Sequence, residues 1–183
     1  MANGSVRGRV IKASEMQSTD TVGLAKWLLG KALVRTKGGK REVGIVTEVE
    51  AYHTELDLAS HASRGKTPRT RVLYSLGGVW YVYLIYGMYH MLNLVTGPEG
   101  TPAAVLIRGL DTITGPGRLT RELGIDMGFN RRPVAPRTGL HLEDLGIVVP
   151  RGRIGATPRI GVDYAGPVWS RKPWRFVAKP PFG

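Results

Sequence analysis

The stretch Thr47-Glu48-Val49-Glu50-Ala51-Tyr52 sets two carboxylates and a phenol at alternate positions. In an extended strand, alternate positions point to one face. A carboxylate there can take a proton from water and stabilise positive charge developing on a sugar ring. Hydrolysis at C1′ through an oxocarbenium-like transition state is therefore within its chemistry. Two glutamates also suit the solvated side of a half-buried strand, and the pattern taken alone favours that plainer reading.

The second feature is an aromatic ladder of Trp80, Tyr81, Tyr83, Tyr86 and Tyr89. For Trp80 and Tyr81 a hydrophobic sheet with locally bonded polar tips is the favoured explanation. An apolar, aromatic hairpin tip on a cationic chain also matches a wedge that enters a base step and pries a nucleotide from the stack. Other chemistries lack their usual residues. His53, His61, His90 and His141 show no metal-ligand spacing, and no dinucleotide-binding glycine motif, phosphate loop or serine-nucleophile elbow is present. No metal or cofactor is expected.

The elements needed to position these groups can be read from patterning. Ser18 and Asp20 offer cap oxygens before an amphipathic helix through Val22, Leu24, Ala25, Leu28 and Leu29, with Gly30 at its end. Residues 31–36 and 41–52 read as strands joined by a turn at Gly38-Gly39. Ile45, Val49 and Ala51 are expected on one face of the second strand, with Val46, Glu48, Glu50 and Tyr52 on the other. Residues 53–78 read as a basic surface loop with a helical turn. Residues 79–95 read as two strands connected at Gly87-Met88, residues 103–108 as a buried strand, and Gly115-Pro116-Gly117 as the lead into a helix from Arg118 to Leu123. The tail mixes short strands with Pro and Gly. A loop over 126–138, containing Arg131-Arg132-Pro133, is expected to be disordered.

The chain has 183 residues, enough for one domain with its own core. Its 26 Lys and Arg against 14 Asp and Glu leave a net charge of +12, a field that attracts polyanions such as nucleic acid. It has no cysteine, which fits a reducing compartment, no apolar run long enough to span a membrane, and no secretory leader in its polar start. The expected fold is α+β: one compact domain over 1–183, a curved antiparallel sheet with a protruding β-hairpin and flanking helices, and a flexible basic arm over 1–17.

Several blocks together resemble the alkyladenine (3-methyladenine) DNA glycosylases. They are residues 47–52, Ser60-His61 through Arg64-Gly65-Lys66-Thr67-Pro68-Arg69, and Tyr81 through Tyr89 with Asn93. Ala104 through Arg108, Gly115 through Leu119, Arg159-Ile160-Gly161 and Arg171-Lys172-Pro173 continue the likeness across nearly all the chain after Thr21. The resemblance implies a monofunctional purine DNA glycosylase in base-excision repair. Such an enzyme flips alkylated or deaminated purines from double-stranded DNA and leaves an abasic site. It would act as a monomer without a cofactor, away from membranes, in the cytosol (on the nucleoid of a prokaryote, or in the nucleus of a eukaryote).

By the same resemblance Glu50 activates water, with Arg108 and the backbone of Ile160 helping to hold it. Tyr52, His61, Tyr83 and Asn93 line the base pocket, Tyr86 plugs the vacated stack with Met88 and Tyr89 beside it, and Arg64, Lys66, Thr67 and Arg69 meet the DNA backbone. The sequence departs from the family at His53-Thr54-Glu55, Thr70 and Leu73-Tyr74, around the expected pocket entrance. His53 reads as an exposed loop residue or an extra pocket group. Two rival readings use the same residues: a noncatalytic nucleic-acid-binding module whose tyrosines stack on bases, and a hydrolase of free nucleosides, which would not need a basic surface.

Overall fold

A computed structural model describes residues 7–179. Among them are nine strands: β1 (Arg9–Val10), β2 (Ala32–Lys37), β3 (Lys40–His53), β4 (Trp80–Ile85), β5 (Tyr89–Val95), β6 (Ala103–Leu110), β7 (Leu140–Asp144), β8 (Ile154–Thr157) and β9 (Arg175–Ala178). All pair antiparallel in one sheet ordered β1-β7-β2-β3-β6-β5-β4, with β9 on the second half of β3 and β8 beyond it. The helices are α1 (Thr21–Leu28), α2 (Pro116–Glu122) and α3 (Gly166–Trp169). This is the α+β architecture expected from the sequence.

Local chemistry explains the boundaries. Asp20 caps α1 by accepting from Gly23 N at 2.8 Å, and Gly30 leaves the helix in a left-handed conformation at φ 86°. Pro116 occupies the first turn of α2, where its missing N–H has no partner to lose. At the tip of the β4–β5 hairpin Tyr86 and Gly87 both have positive φ, 52° and 69°, which matches the twist of a tight hairpin turn. That turn lies one residue earlier than the sequence suggested.

The sheet divides the molecule into two sides. Val49, Ala51, Val105, Ile107, Leu92, Leu94, Trp80, Val82 and Phe176 form the main core with Ala25, Leu28 and Leu29 from the α1 region and Leu119, Leu123 and Ile125 from the α2 region. The opposite side carries Tyr81, Ala104 and Val95, packed against Ala62, Val72, Leu73 and Tyr74.

Three expectations need correction. Residues 53–78 are not a surface loop as a whole, because two short helical turns, His61–Arg64 and Thr70–Tyr74, bury this second cluster. The 126–138 segment is ordered, with Phe129 and Val134 buried and Val82 N donating to Asn130 Oδ1 at 3.2 Å. Of the expected arm, Arg9–Val10 pairs with β7 and Ile11 and Met16 are buried, while residues 1–6 lie outside the described residues.

The facing of β3 also differs from strict alternation. Val46 sits in the main core with Val49, and Ile45 packs on the opposite side with Val43. The cause is a paired irregularity: the register steps from Val46↔Leu110 to Glu48↔Gly109 to Val49↔Ile107, leaving Thr47 and Arg108 without partners across the ladder. Such bulges reset alternation and re-aim a side chain.

Candidate active site

Glu50 lies where β3 is bounded on both sides, opposite Leu106 of β6 and Arg175 of β9. The pairing continues from Leu106 to Asn93 and from Asn93 to Tyr81, so one row across the sheet sets Glu50, Asn93 and Tyr81 on the same face. Tyr52 and Tyr83 follow two residues along their strands.

The Glu50 side chain is fully buried. Its Oε1 accepts from Ile160 N at 2.8 Å and its Oε2 from the Tyr52 hydroxyl at 2.8 Å. Arg108 Nη1 stands 3.5 Å from Oε1. Every neighbour is a donor, which suits a carboxylate, and each oxygen keeps acceptor capacity for one further hydrogen. Burial and then the charge of Glu50 push the Tyr52 hydroxyl well above its ordinary range, so it stays a donor.

Glu48 is a different carboxylate. Its Oε1 accepts from Arg108 Nε at 2.8 Å and Arg175 Nε at 2.7 Å. Burial raises its pKa, but the two guanidinium partners outweigh that and hold it below the usual range. Glu48 thus anchors Arg108, the bulge residue that reaches on toward Glu50.

Tyr52, Tyr81, Tyr83, His61, Asn93 and Ile160 are among the residues lining a cavity of about 70 Å³, which shares Ser60, His61 and Tyr164 with a basic cleft of about 420 Å³. Glu50 lies behind this lining, reached through the Tyr52 hydroxyl and the Ile160 amide. His61 meets Tyr83 edge-on with ring centroids 4.6 Å apart, and its Nδ1 is 2.9 Å from the Tyr81 hydroxyl. Burial, then the positive charges of Arg69 and Arg64, lower the His61 pKa to about 4, leaving a neutral imidazole near neutral pH. Burial pushes the Tyr83 phenol upward. Asn93 is buried, its amide donating to Tyr81 O at 3.2 Å.

The structure places the remaining expected residues unevenly. Arg64, Thr67 and Arg69 line the cleft, with the Arg69 guanidinium 5.2 Å from the Tyr83 ring centroid. The Thr67 hydroxyl is engaged with that of Thr70 at 3.0 Å. Lys66 points elsewhere, over the Tyr74 ring and into a neighbouring groove. Tyr86 is 84% exposed, with Met88 and Tyr89 also exposed. His53 is neither exposed nor in the pocket: it is half-buried at the strand end, its Nδ1 2.9 Å from Thr21 Oγ1 on α1. The departures Glu55 and Tyr74 bond each other at 2.7 Å.

Sequence reasoning gave no site role to four residues that take part. Tyr81 packs in the second core cluster with its hydroxyl bonded to His61, as expected, and also lines the cavity, for which its spacing of two from Tyr83 was the available signal. Tyr164 borders both cavity and cleft, its hydroxyl donating to Ala59 O at 3.0 Å. Arg159 and Asp57 form a fully buried bidentate pair at 2.6 and 2.8 Å. Arg159 also donates to Ala51 O at 2.8 Å and lies 4.7 Å from the Tyr52 ring centroid, while Asp57 accepts from His53 N and Ala59 N. One ion pair therefore ties together the Glu50 strand, the loop bearing His61, and the segment whose next amide, Ile160, bonds Glu50.

The family model described as methylpurine-DNA glycosylase matches residues 15–115 and 110–181. The chain belongs to the methylpurine-DNA glycosylase family. It is 47% identical over 161 residues to a Myxococcus xanthus protein provisionally named a 3-methyladenine DNA glycosylase, covering 83% of this chain and 81% of that one. A provisionally so-named Anaeromyxobacter protein is 45% identical over 172 residues, covering 90% and 87%, and one from Legionella pneumophila strain Lens is 43% identical over 171 residues, covering 87% and 90%. Family membership supports a DNA glycosylase role, that of a hydrolase of N-glycosyl bonds in DNA repair. Among the described residues no helix is long and apolar enough to cross a membrane.

Proposed function

We propose that the protein is a monofunctional glycosylase that extrudes alkylated or deaminated purines from duplex DNA and hydrolyses their bond to C1′. The observation that carries this reading is the setting of Glu50: a buried carboxylate held by Ile160 N, the Tyr52 hydroxyl and Arg108, immediately behind an aromatic cavity.

In this reading the extruded base enters the slot beside His61, Tyr52 and Tyr83, stacking on the tyrosine rings. Water held at Glu50 gives its proton to the carboxylate as its oxygen bonds C1′, and the C1′–N bond breaks with its electrons passing to the base. A purine alkylated on a ring nitrogen leaves as a neutral molecule and needs no added proton, whereas a deaminated or etheno purine leaves as an anion and takes a proton from solvent water. The negative charge of Glu50 also offsets the positive charge on the sugar in the transition state. No lysine lines the cavity or cleft among the described residues, which favours an intact abasic site over a covalent amine intermediate. Exposed Tyr86, backed by Met88 and Tyr89, would occupy the gap in the stack.

The test is incubation with duplexes carrying hypoxanthine, ethenoadenine or 3-methyladenine beside matched normal purines. Release of at least one damaged base, with strand breakage only after alkali, is the expected result. Release of none would defeat the proposal.

A further inference from the structure

The segment around Arg131 has no part in the site above. It is bonded along the outer edge of β4: Arg131 N donates to Trp80 O at 2.8 Å, Trp80 N to Arg132 O at 2.9 Å, and Val134 N to Gly78 O at 2.9 Å. The open edge of the sheet is thereby covered, and the segment is fixed to the strand that leads to the hairpin tip.

Arg131 holds a left-handed backbone, φ 69°, that L residues rarely adopt. Its guanidinium reaches the Thr67-Pro68-Arg69 turn, 3.4 Å from Pro68 O. Between them runs a groove of about 330 Å³ bordered by Lys66, Arg71 and Arg131. All three are exposed. Among the described residues none of them has an ion-pair partner.

Three like charges around one groove repel one another, an arrangement that a polyanion relieves. The 64–71 turn separates this groove from the cleft: Arg64, Thr67 and Arg69 line the cleft side, Lys66 and Arg71 the groove side. A phosphodiester strand entering the cleft can continue past the turn into the groove.

We propose that this groove is a second phosphate track, in which Arg131 and Arg71 grip DNA flanking the extruded nucleotide. It rests on the DNA-glycosylase reading. The track supplies affinity without base readout and anchors the strand relative to the hairpin through the backbone bonds to β4.

The experiment compares wild type with Arg71→Gln, Arg131→Gly and the double variant on a duplex holding a single hypoxanthine. Glycine suits the positive φ at 131, so its removal of charge does not add strain, and a thermal melt verifies folding. The slope of log affinity against log salt should flatten by about 1 for each charge removed, with affinity several-fold weaker near physiological salt. Single-turnover release at saturating protein should be unchanged, and the deficit should disappear on a duplex truncated on the side that the groove holds. Salt slope and affinity equal to wild type in the double variant would overturn the proposal. If wild type releases no damaged base, the glycosylase reading fails, while the binding slopes still decide the groove.

Discussion

At the base of the β4–β5 hairpin, Tyr81 bonds His61, Asn93 bonds the backbone of both strands, and the neighbouring Glu50 has a donor on each oxygen. At the tip of the same hairpin, Tyr86 is 84% exposed in a left-handed backbone, with Met88 and Tyr89 exposed beside it. The base is a buried, hydrogen-bonded polar network beside the cavity, where charge and geometry are fixed before a substrate arrives. The tip holds exposed apolar surface on a left-handed backbone. In the proposed reading, chemistry and the handling of DNA make opposite demands on one element, and each end meets its own.

That contrast can be broken most severely at the network. Asp57→Ala leaves Arg159 buried without its carboxylate and should cost about 3–5 kcal/mol of stability, read as a fall in the denaturant midpoint. Tyr86→Ala, by the same measurement, should change stability by no more than about 0.5 kcal/mol. Similar losses for both would erase the distinction.

A smaller effect separates the ends by pH. The His61 pKa falls from 6.5 to about 4 in the folded protein. Between those values the unfolded chain binds the proton and the folded chain does not, so stability should decline as pH drops through that window and be unaffected above it. The His61 ring resonances, followed by NMR, should titrate near the lower value. Titration near 6.5 would show the pocket open to water.

The smallest effect should have opposite signs for stability and function. Tyr86→Gly removes a left-handed L residue and should raise stability by up to about 1 kcal/mol, glycine's own entropy offsetting part of the gain. The same variant should release damaged bases from duplex roughly tenfold more slowly, with single strands little affected. Equal impairment on both substrates would assign Tyr86 a structural role.

Alternation and turn chemistry made α1, the β2–β3 pair, the aromatic hairpin and the Glu50–Tyr52 spacing legible in the sequence. Strict alternation failed at Val46 and Ile45 because the Thr47 and Arg108 irregularities depend on how two distant strands pair. The same irregularity lets Arg108 serve both Glu48 and Glu50, so the unequal roles of two glutamates on one strand were not visible in their spacing. Arg159 and Asp57 are 102 positions apart, and no local pattern marks them as partners. The 126–138 segment looked disordered because it is short of apolar residues. Its order comes from backbone bonds to β4 and from Phe129 and Val134 reaching the main core, pairings with distant segments that composition does not encode.

The most direct measurement of the central claim is Glu50→Gln on a lesion-bearing duplex, with binding and base release followed together. The amide keeps the size of the side chain and loses the basic oxygen. Base release should fall about a hundredfold or more, with the lesion duplex bound as tightly as by wild type. Release within a few-fold of wild type would contradict the assignment of Glu50 as the group that activates water.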